Sequence, residues 1–278
     1  MSCVFALDSR TNLMPIPLKE VSDHALKSIK GICFDIDDTF SSSGKITSKA
    51  FSSLWQLHEK KIITVPVTGR PAGWCDHIAR FWPVDAIIGE NGAFIFYMKD
   101  GKRCRLNTLP DNLKNENMLK LSQLEKKIKQ EFPGSLWASD QSYREFDLAI
   151  DICEDVPAWE DREIERLLSL CKGAKAHAKL SSVHVNAWYG DYDKMGAFKF
   201  WCDNQMPGSR FEINSIDEWI YIGDSPNDEP AFDFFTKSVG VKNIEKYLPS
   251  LKKRPTYITE HDSGEGFFEL AQRLIHLF

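Results

Sequence analysis

The sequence predicts a doubly wound α/β core with a parallel sheet, into which a smaller α/β domain is inserted. Short apolar runs alternate with amphipathic segments, and such runs are typical of strands buried on both faces of a parallel sheet. Three of these runs end at a carboxylate or hydroxyl residue, namely Asp35, Thr68 and Asp224. The length of 278 residues suits a core domain together with a smaller one.

Composition narrows the class of protein. Hydrophobic residues make up 42% of the chain and the net charge is -5, so we expect a substantial core and no broad nucleic-acid surface. Residues 1–8 lack the basic start and apolar core of a signal peptide, and no apolar stretch is long enough to span a bilayer. The seven cysteines are scattered without a C-x-x-C pair, which is typical of reduced thiols. We therefore expect a cytoplasmic protein that does not bind a membrane.

The first strand of the predicted sheet, 31–34, follows an arm that contains a short helix near 21–30. This strand ends in Asp35, and Asp37 and Thr39 come directly after it. Ligands of open α/β sheets bind beyond the carboxyl ends of the strands, and two carboxylates at this spacing repel one another. Magnesium fits such a position because it takes protein carboxylates together with a substrate phosphate. The alternative interpretation is a pair of acids that cap the following helix.

The alternation continues through the first half of the core. The pattern predicts a helix over 46–60, with Leu54, Trp55 and Leu57 on its apolar side. The elements predicted after it are a strand over 62–67, a helix near 71–81, a strand at 86–88 and a hairpin that starts at residue 94. The tryptophans in or beside the periodic elements are predicted core residues: Trp74, Trp82, Trp201 and Trp219.

The pattern changes between residues 109 and 187, and we interpret this stretch as an inserted α/β cap. Its predicted elements are a helix over 118–132, a strand over 144–153, a helix over 159–171 and strands at 176–180 and 183–188. The core then comprises residues 1–108 and 188–278. The elements predicted for its second part are a helix over 194–202, a strand at 219–222, a further helix, a strand at 238–241 and a last helix from about residue 266.

Residues suited to phosphate chemistry lie at the predicted strand ends and at one helix start. In chain order they are Asp35, Asp37, Thr39, Thr68, Lys194, Asp224, Asn227 and Asp228. A carboxylate can attack phosphorus, and a cation between the carboxylates would offset their repulsion for an anionic substrate. Thr68 and Lys194 would stabilise charge on the phosphoryl oxygens. Asp37 is placed to protonate a leaving oxygen and then to activate water.

These motifs resemble those of the haloacid dehalogenase superfamily of phosphohydrolases. Its four motifs are similar to Asp35-Ile36-Asp37-Asp38-Thr39, Thr68-Gly69-Arg70, Lys194 and Gly223-Asp224-Ser225-Pro226-Asn227-Asp228. The insertion and Glu90-Asn91-Gly92-Ala93 resemble the branch that carries an α/β cap. That branch includes phosphatases for sucrose phosphate and for mannosyl-3-phosphoglycerate, and the fourth motif looks closest to the latter.

The resemblance implies a role for each matching residue. Asp35 would be the nucleophile, and Asp37 the acid/base and a metal ligand through its backbone carbonyl. Thr68 and Lys194 would contact the phosphate. Magnesium would be held by the aspartates of motifs one and four, which are Asp35, Asp37, Asp224 and Asp228, with Asn227 in support. The chain departs from the usual pattern at Asp38, where glycine is common and tolerates backbone conformations that Asp adopts less readily.

The remaining substrate-binding candidates are less tightly tied to a motif. We expect them to be Thr39, Arg70, Asn91, Asn186 and Asn227. His184 shares a strand face with Asn186, and we interpret that histidine as part of a polar outer face of the sheet. Arg70 either contacts phosphate or pairs with a surface carboxylate. Arg144, in the cap, is a candidate for gripping a second anionic group.

The predicted function is a magnesium-dependent phosphatase that hydrolyses a small phosphorylated metabolite, a sugar phosphate, through an aspartyl-phosphate. A phosphomutase of the same superfamily is the first alternative, because it uses the same nucleophile. A phosphorylated receiver protein fits poorly, since its phosphorylated Asp lies on a later strand than its acidic pair. A non-catalytic protein with this fold is disfavoured by the intact motifs. The sequence does not indicate an oligomeric state.

Overall fold

The computed structural model describes residues 14–181, 183–210 and 213–278. Cys3, the first part of the expected N-terminal arm and Ser182, at the joint of two predicted strands, lie outside the described residues. The strands are β1 (Ile16–Pro17), β2 (Gly31–Phe34), β3 (Ile63–Pro66), β4 (Ala86–Gly89), β5 (Phe94–Lys99), β6 (Lys102–Asn107), β7 (Asp147–Asp151), β8 (His177–Leu180), β9 (His184–Trp188), β10 (Trp219–Gly223), β11 (Ser238–Gly240) and β12 (Tyr257–Ile258).

Eight α-helices pack around these strands in the described part of the chain. They are α1 (Asp23–Leu26), α2 (Ser48–Glu59), α3 (Ala72–Phe81), α4 (Asp111–Glu131), α5 (Asp161–Gly173), α6 (Lys194–Asp203), α7 (Glu229–Phe234) and α8 (Ser263–Ile275). Most predicted elements are present with their ends shifted by a few residues. The strand expected over 144–153 is shorter, because a 3₁₀ turn at Gln141–Tyr143 precedes β7. None of the helices described has the length and apolar character needed to cross a membrane.

The central sheet has six parallel strands in the order β1-β12-β11-β10-β2-β3. Cys33 of β2 lies opposite Tyr221 of β10 on one side and Val65 of β3 on the other. The carboxyl ends of β3, β2 and β10 therefore meet at one edge. The prediction of a doubly wound core with a parallel sheet is confirmed.

Each central strand buries both faces, which explains its continuous apolar sequence. Ile32 and Phe34 face the layer that contains α2 and α8, whereas Cys33 faces the layer that contains α6 and α7. Trp201 and Trp219 are buried as predicted. Trp82 is half-buried, and the core prediction was wrong for Trp74, which is 43% exposed. Trp55, expected on the apolar side of its helix, is 45% exposed. Helical spacing placed Trp55 and Trp74 on an apolar side, but no other layer covers that side completely.

The predicted hairpin is β5–β6, which joins β4 in a separate antiparallel sheet. This sheet lies next to β3, because Val67 forms an isolated parallel bridge with Ile88. The hairpin lies between the end of β3 and the inserted segment. The 3₁₀ turn Glu90–Gly92 directly follows β4, which runs parallel to β3, so this turn lies at the same edge as the central strand ends.

The inserted segment forms a third sheet, in the antiparallel order β7-β9-β8. One face packs against α4 and α5 through an apolar cluster that includes Leu124, Ile150, Leu167 and Val185. Side chains on a strand alternate between faces, so Asp147, His184 and Asn186 occupy the opposite face. That face is turned toward the edge of the central sheet, as the contacts below show.

Candidate active site

The ends of β2 and β10 bring two buried aspartates together. Asp35 follows β2 and its backbone N–H donates to the Ile222 carbonyl of β10, at 3.0 Å. Asp224 follows β10, and both aspartates are nearly completely buried. The parallel register therefore places the first and fourth motifs side by side, as the strand ends predicted.

Lys194 reaches the same point from the start of α6. Its Nζ donates to Asp35 Oδ1 at 2.7 Å and lies 3.5 Å from Asp228 Oδ1. Gly92 allows this approach, because a Cβ at its position (φ +109°) would lie 2.2 Å from the carbonyl oxygen of Asp193. Asp193 in turn caps α6 by accepting from the N–H of Gly196 at 2.6 Å. The Glu90–Gly92 turn thus positions the lysine.

Three carboxylates converge beside this lysine. Asp35, Asp224 and Asp228 each offer an oxygen within 4.8 Å of the other two. Burial raises the pKa of Asp35 to about 7, although Lys194 opposes this shift, and burial also raises the pKa of Asp224 well above its usual range. The nearby charge of Asp228 adds to both shifts. The cluster is short of positive charge and rich in the oxygen ligands that Mg²⁺ prefers, so these residues fit the ion that the sequence implied.

The carboxylate of Asp228 is already engaged within the protein. Its Oδ1 accepts from the Tyr221 hydroxyl at 2.5 Å, and its Oδ2 accepts from the N–H groups of Asp224 and Ser225 at 3.0 and 3.1 Å. These bonds shape the loop that carries Asp224. Asn227 accepts from the Ser225 hydroxyl at 2.9 Å and so belongs to the same loop.

Asp224 is held by two further side chains. Thr39, expected at the substrate, donates its hydroxyl to Asp224 Oδ1 at 3.2 Å. Asn243 donates to Asp224 Oδ2 at 3.4 Å and to the backbone carbonyl of Asp38 at 3.2 Å. Sequence reasoning missed Asn243, since a single asparagine in the 3₁₀ helix Lys242–Lys246, after β11, carries no motif. Asp38 has φ +53°, a left-handed conformation that explains why glycine is usual there.

Asp37 is turned toward Arg70 of the second motif. The Arg70 Nε lies 3.1 and 3.0 Å from the two carboxylate oxygens, and Nη2 lies 2.8 Å from Oδ1. Arg70 also donates to Glu154 of the inserted segment, at 2.8 Å. Of the two expectations for Arg70, the structure shows a carboxylate partner, but that partner belongs to the predicted catalytic pair. Thr68 is buried, and its hydroxyl oxygen accepts from the Arg70 backbone N–H at 3.0 Å.

The predicted amides meet at a carboxylate of the inserted sheet. Asn91 and Asn186 both donate to Asp147 Oδ2, at 3.4 and 3.1 Å. The Arg144 side chain is buried and donates to Asp147 Oδ1 at 3.0 Å, to Asp140 Oδ1 at 3.0 Å and to the Gly69 carbonyl at 2.9 Å. These contacts link the inserted segment to the second motif. Because these three partners surround the Arg144 guanidinium, it is not free to bind a second anionic group of the substrate, which was the role suggested by the sequence.

His184 lies at the same junction and is 2% exposed, so its assignment to an outer face was wrong. Its Nε2 is 2.8 Å from Glu154 Oε2. The close approach of His184 and the hydrogen bonds from Arg70 lower the pKa of Glu154 to about 2. Glu154 is a site residue that sequence reasoning missed, because its partners come from segments far apart in the chain.

A small enclosed space lies above Asp35. Its volume is about 20 Å³, and the predicted residues that line it are Asp35, Asp37, Arg70, Asn91, Asn186, Asp224 and Asn227. Thr68 and Lys194 lie next to it through their bonds to Arg70 and Asp35. The edge of the sheet thus brings together the Asp35 carboxylate, the Lys194 ammonium group and the Asp37 carboxylate, which is hydrogen-bonded to Arg70. The aspartate cluster at the same edge is suited to a cation.

Comparisons with known proteins agree with this geometry. The sequence model of the haloacid dehalogenase-like hydrolases matches residues 32–153. No curated protein matches the sequence significantly. Many solved structures share the fold.

Three of those structures illustrate the likeness. The C-terminal domain of a Candida albicans trehalose-6-phosphate phosphatase has a TM-score of 0.69 at 14% identity, covering 96% of this chain and 100% of that one. A Thermoplasma acidophilum protein has a TM-score of 0.68 at 16% identity, covering 90% and 99%. BT1666 from Bacteroides thetaiotaomicron, described among phosphatases of the haloalkanoate superfamily, has a TM-score of 0.60 at 16% identity, covering 91% and 97%. At these identities the likeness establishes the fold alone.

Proposed function

Because the chain is a haloacid dehalogenase-like hydrolase, we propose that it is a magnesium-dependent phosphatase acting on a small phosphorylated metabolite. The observation that supports this most directly is the contact of Lys194 Nζ with Asp35 Oδ1, at 2.7 Å, beside two more buried aspartates. An ammonium group there lowers the cost of bringing a phosphate dianion up to a carboxylate. A sugar phosphate is the proposed substrate class, in keeping with the trehalose-6-phosphate phosphatase among the structural neighbours.

The reaction has two steps in this proposal. The Asp35 carboxylate attacks phosphorus, and the bond from phosphorus to the alcohol oxygen breaks. Asp37 gives its proton to that oxygen, and the alcohol leaves. Water then attacks the aspartyl-phosphate while Asp37 takes up one of its protons, so that the Asp35 carboxylate is regenerated and inorganic phosphate is released. Arg70 keeps the Asp37 carboxylate in place for both transfers through its paired hydrogen bonds.

Lys194 and Thr68 would hold the transferred phosphoryl group. Lys194 is the nearest positive charge to Asp35, and the Thr68 hydroxyl uses its oxygen as an acceptor, so its proton is available to a phosphate oxygen. Asp35 and Asp224 would hold the Mg²⁺, with Asp37 through its backbone carbonyl and Asp228 as the residue that shapes the loop. The ion, when bound, would neutralise charge on the phosphate.

We propose that residues 109–187 are a cap domain that closes over this edge. Arg144, Asp147 and Glu154 of that segment all contact residues of the core site. Closure would exclude water from Asp35 and strengthen each charge interaction there. We also propose that the enzyme works in the cytoplasm, because its scattered cysteines suit a reducing compartment.

The direct test is phosphate release from a panel of sugar phosphates, phosphoglycerate conjugates and nucleotides. Activity should disappear with a chelator and return with magnesium. The Lys194→Met variant should lose activity on every substrate, whereas Lys199→Met, on the exposed side of the same helix, should retain it. Turnover that continues in the presence of chelator would exclude the metal role.

A further inference from the structure

A second cavity lies beside the small space above Asp35. Its volume is about 530 Å³, and Asp37 and Arg70 line both it and the smaller space. Its other walls come largely from aromatic and aliphatic side chains of three segments, namely Trp74, His77 and Ile78 of α3, Ile46 before α2, and Tyr143 of the inserted segment. The two cavities are therefore neighbours that share the proposed acid/base and its arginine.

The sizes of the two cavities suit different parts of a phosphorylated substrate. The space above Asp35, at about 20 Å³, is far smaller than the neighbouring cavity, and an alcohol the size of a sugar does not fit there beside a phosphate. The neighbouring cavity is within the ~300–1,000 Å³ range of small-molecule sites. A group seated in it would present its phosphate past Asp37 toward Asp35.

We propose that this aromatic pocket, lined by Ile46, Trp74, His77, Ile78 and Tyr143, binds the alcohol half of the substrate. The substrate is then the phosphate monoester of an uncharged alcohol with a flat apolar face, such as one side of a pyranose ring or an aryl group. This inference rests on the proposed phosphatase function. Asp37 lies at the pocket edge, where its proton would reach the ester oxygen as the alcohol leaves.

The charges around the pocket support an uncharged alcohol. The acidic and basic residues among its walls are Asp37, Glu154 and Arg70, apart from the imidazole of His77. Arg70 donates to both carboxylates, so its charge is already offset. A second phosphate or a carboxylate on the alcohol would face two carboxylates without a cation to bind it.

The exposure of the pocket aromatics supports a flat apolar partner. Trp74 and Tyr143 are 43% and 58% exposed, although helical spacing predicts Trp74 in the core. Tyr143 packs closely against α3 at Gly73. This contact requires glycine, because a Cβ at that position would lie 2.9 Å from Tyr143 Cβ. The Arg70 guanidinium lies over the Trp74 ring, with its Cζ atom 4.4 Å from the ring centroid. The two rings thus provide a fixed apolar wall next to the reacting groups.

The test compares kcat/KM for 1-naphthyl phosphate with kcat/KM for acetyl phosphate, which is too small to fill the pocket. Tyr143→Ala and Trp74→Ala should each lower the naphthyl-to-acetyl ratio about 10-fold or more, since each removes a large part of the apolar surface that would be covered. Trp55→Ala is the matched control, because Trp55 is equally exposed but lies on α2 outside the pocket, and its ratio should not change. In the wild type, 3-phosphoglycerate should be a poor substrate.

A binding measurement separates failure of the pocket from failure of the phosphatase proposal. Calorimetry on the Asp35→Asn protein should show 1-naphthyl phosphate binding about 10-fold more weakly when Tyr143→Ala is added, with inorganic phosphate unaffected. The pocket proposal is wrong if wild type hydrolyses acetyl phosphate but the Tyr143→Ala and Trp74→Ala variants keep the wild-type naphthyl-to-acetyl ratio. It is also wrong if Tyr143→Ala does not change the affinity for 1-naphthyl phosphate. If no phosphate ester is hydrolysed, the proposed function is wrong, and calorimetry alone then tests whether the pocket binds the aryl group.

Discussion

The guanidinium of Arg70 donates hydrogen bonds to both carboxylate oxygens of Asp37, at 3.0 Å from Nε to Oδ2 and 2.8 Å from Nη2 to Oδ1. Both side chains are largely buried, with exposed fractions of 6% and 23%. A paired contact of this kind fixes the plane of the carboxylate as well as its position. The proposed proton donor is therefore held in one orientation by the second motif.

We predict that Arg70→Lys lowers kcat for an alkyl phosphate about 10- to 100-fold, with a smaller loss for an aryl phosphate. Lysine keeps the charge but has no planar pair of N–H groups, so it cannot orient Asp37. Orientation matters most when the leaving group is poor and needs a proton. Steady-state kinetics on both esters would measure this. Arg103→Lys, at a remote ion pair with Asp76, is the control, and equal losses on both esters would contradict the prediction.

A second prediction concerns Glu154, whose pKa of about 2 lies below the ~4.3 expected in the unfolded chain. The unfolded state then binds more protons between these values, so the stabilisation is present above pH ~4.3 and is lost as pH falls toward ~2. Glu154→Gln should lower the free energy of unfolding by about 1 kcal/mol at pH 7, after solvent screening is allowed for. The difference should shrink by pH 3.

Urea unfolding of both proteins at pH 7 and pH 3 would measure that difference. Glu163→Gln is the control, because Glu163 pairs with Arg166 on the exposed surface of α5 and should contribute little at either pH. A destabilisation by Glu154→Gln that does not depend on pH would show that its carboxylate contributes through shape and not through charge.

The third prediction concerns the buried carboxylate cluster. Asp224 has a pKa well above its usual range because of burial and the charges of Asp228 and Asp35. Asp224→Asn should therefore raise the melting temperature in chelator, by ~2–4 °C for each kcal/mol of repulsion removed. Magnesium should raise the melting temperature of wild type and have little effect on the variant. Asp233→Asn, at an exposed pair with Lys253, should respond to magnesium as wild type does.

Much of this site could be predicted because its parts are local in sequence. A buried parallel strand is apolar on both faces, so the point where it ends in Asp35 or Asp224 is visible in the sequence. The Glu90–Gly92 turn and Lys194 could be found from their own short motifs. What remained hidden depends on segments that meet only in the fold. Glu154 gives no signal until the inserted sheet places it against Arg70.

Exposure was the second property that sequence pattern could not settle. Trp55 and Trp74 have helical spacing that suits a core, and that spacing does not reveal whether another layer covers them. For Trp74 the uncovered side lines the aromatic pocket. Arg144 was assigned to a second anion for a similar reason, since sequence shows a cation but not Asp140 and Asp147, which surround it.

The last prediction separates the roles of Asp35 and Asp37, which lie only two residues apart. Asp35 is buried beside Lys194, where a phosphoryl group would bind, whereas Asp37 is directed to Arg70 and the aromatic pocket. General acid–base help contributes typically ~100- to 10,000-fold. An aryl phosphate needs little of it in the first step, because its leaving group is good, but the attack of water on the phosphoenzyme still needs a base.

Asp37→Asn should therefore form phosphoenzyme rapidly from an aryl phosphate and hydrolyse it slowly, while Asp35→Asn should form none. Rapid quench with labelled substrate, followed by intact mass and peptide mapping, should place one phosphate on Asp35 in the Asp37 variant. Circular dichroism would check that both variants are folded. Label on another residue, or phosphoenzyme in both variants, would show that the roles are assigned wrongly. A phosphoenzyme that persists in wild type and passes its phosphate to a second sugar phosphate would indicate a phosphomutase, because a phosphatase transfers the group to water.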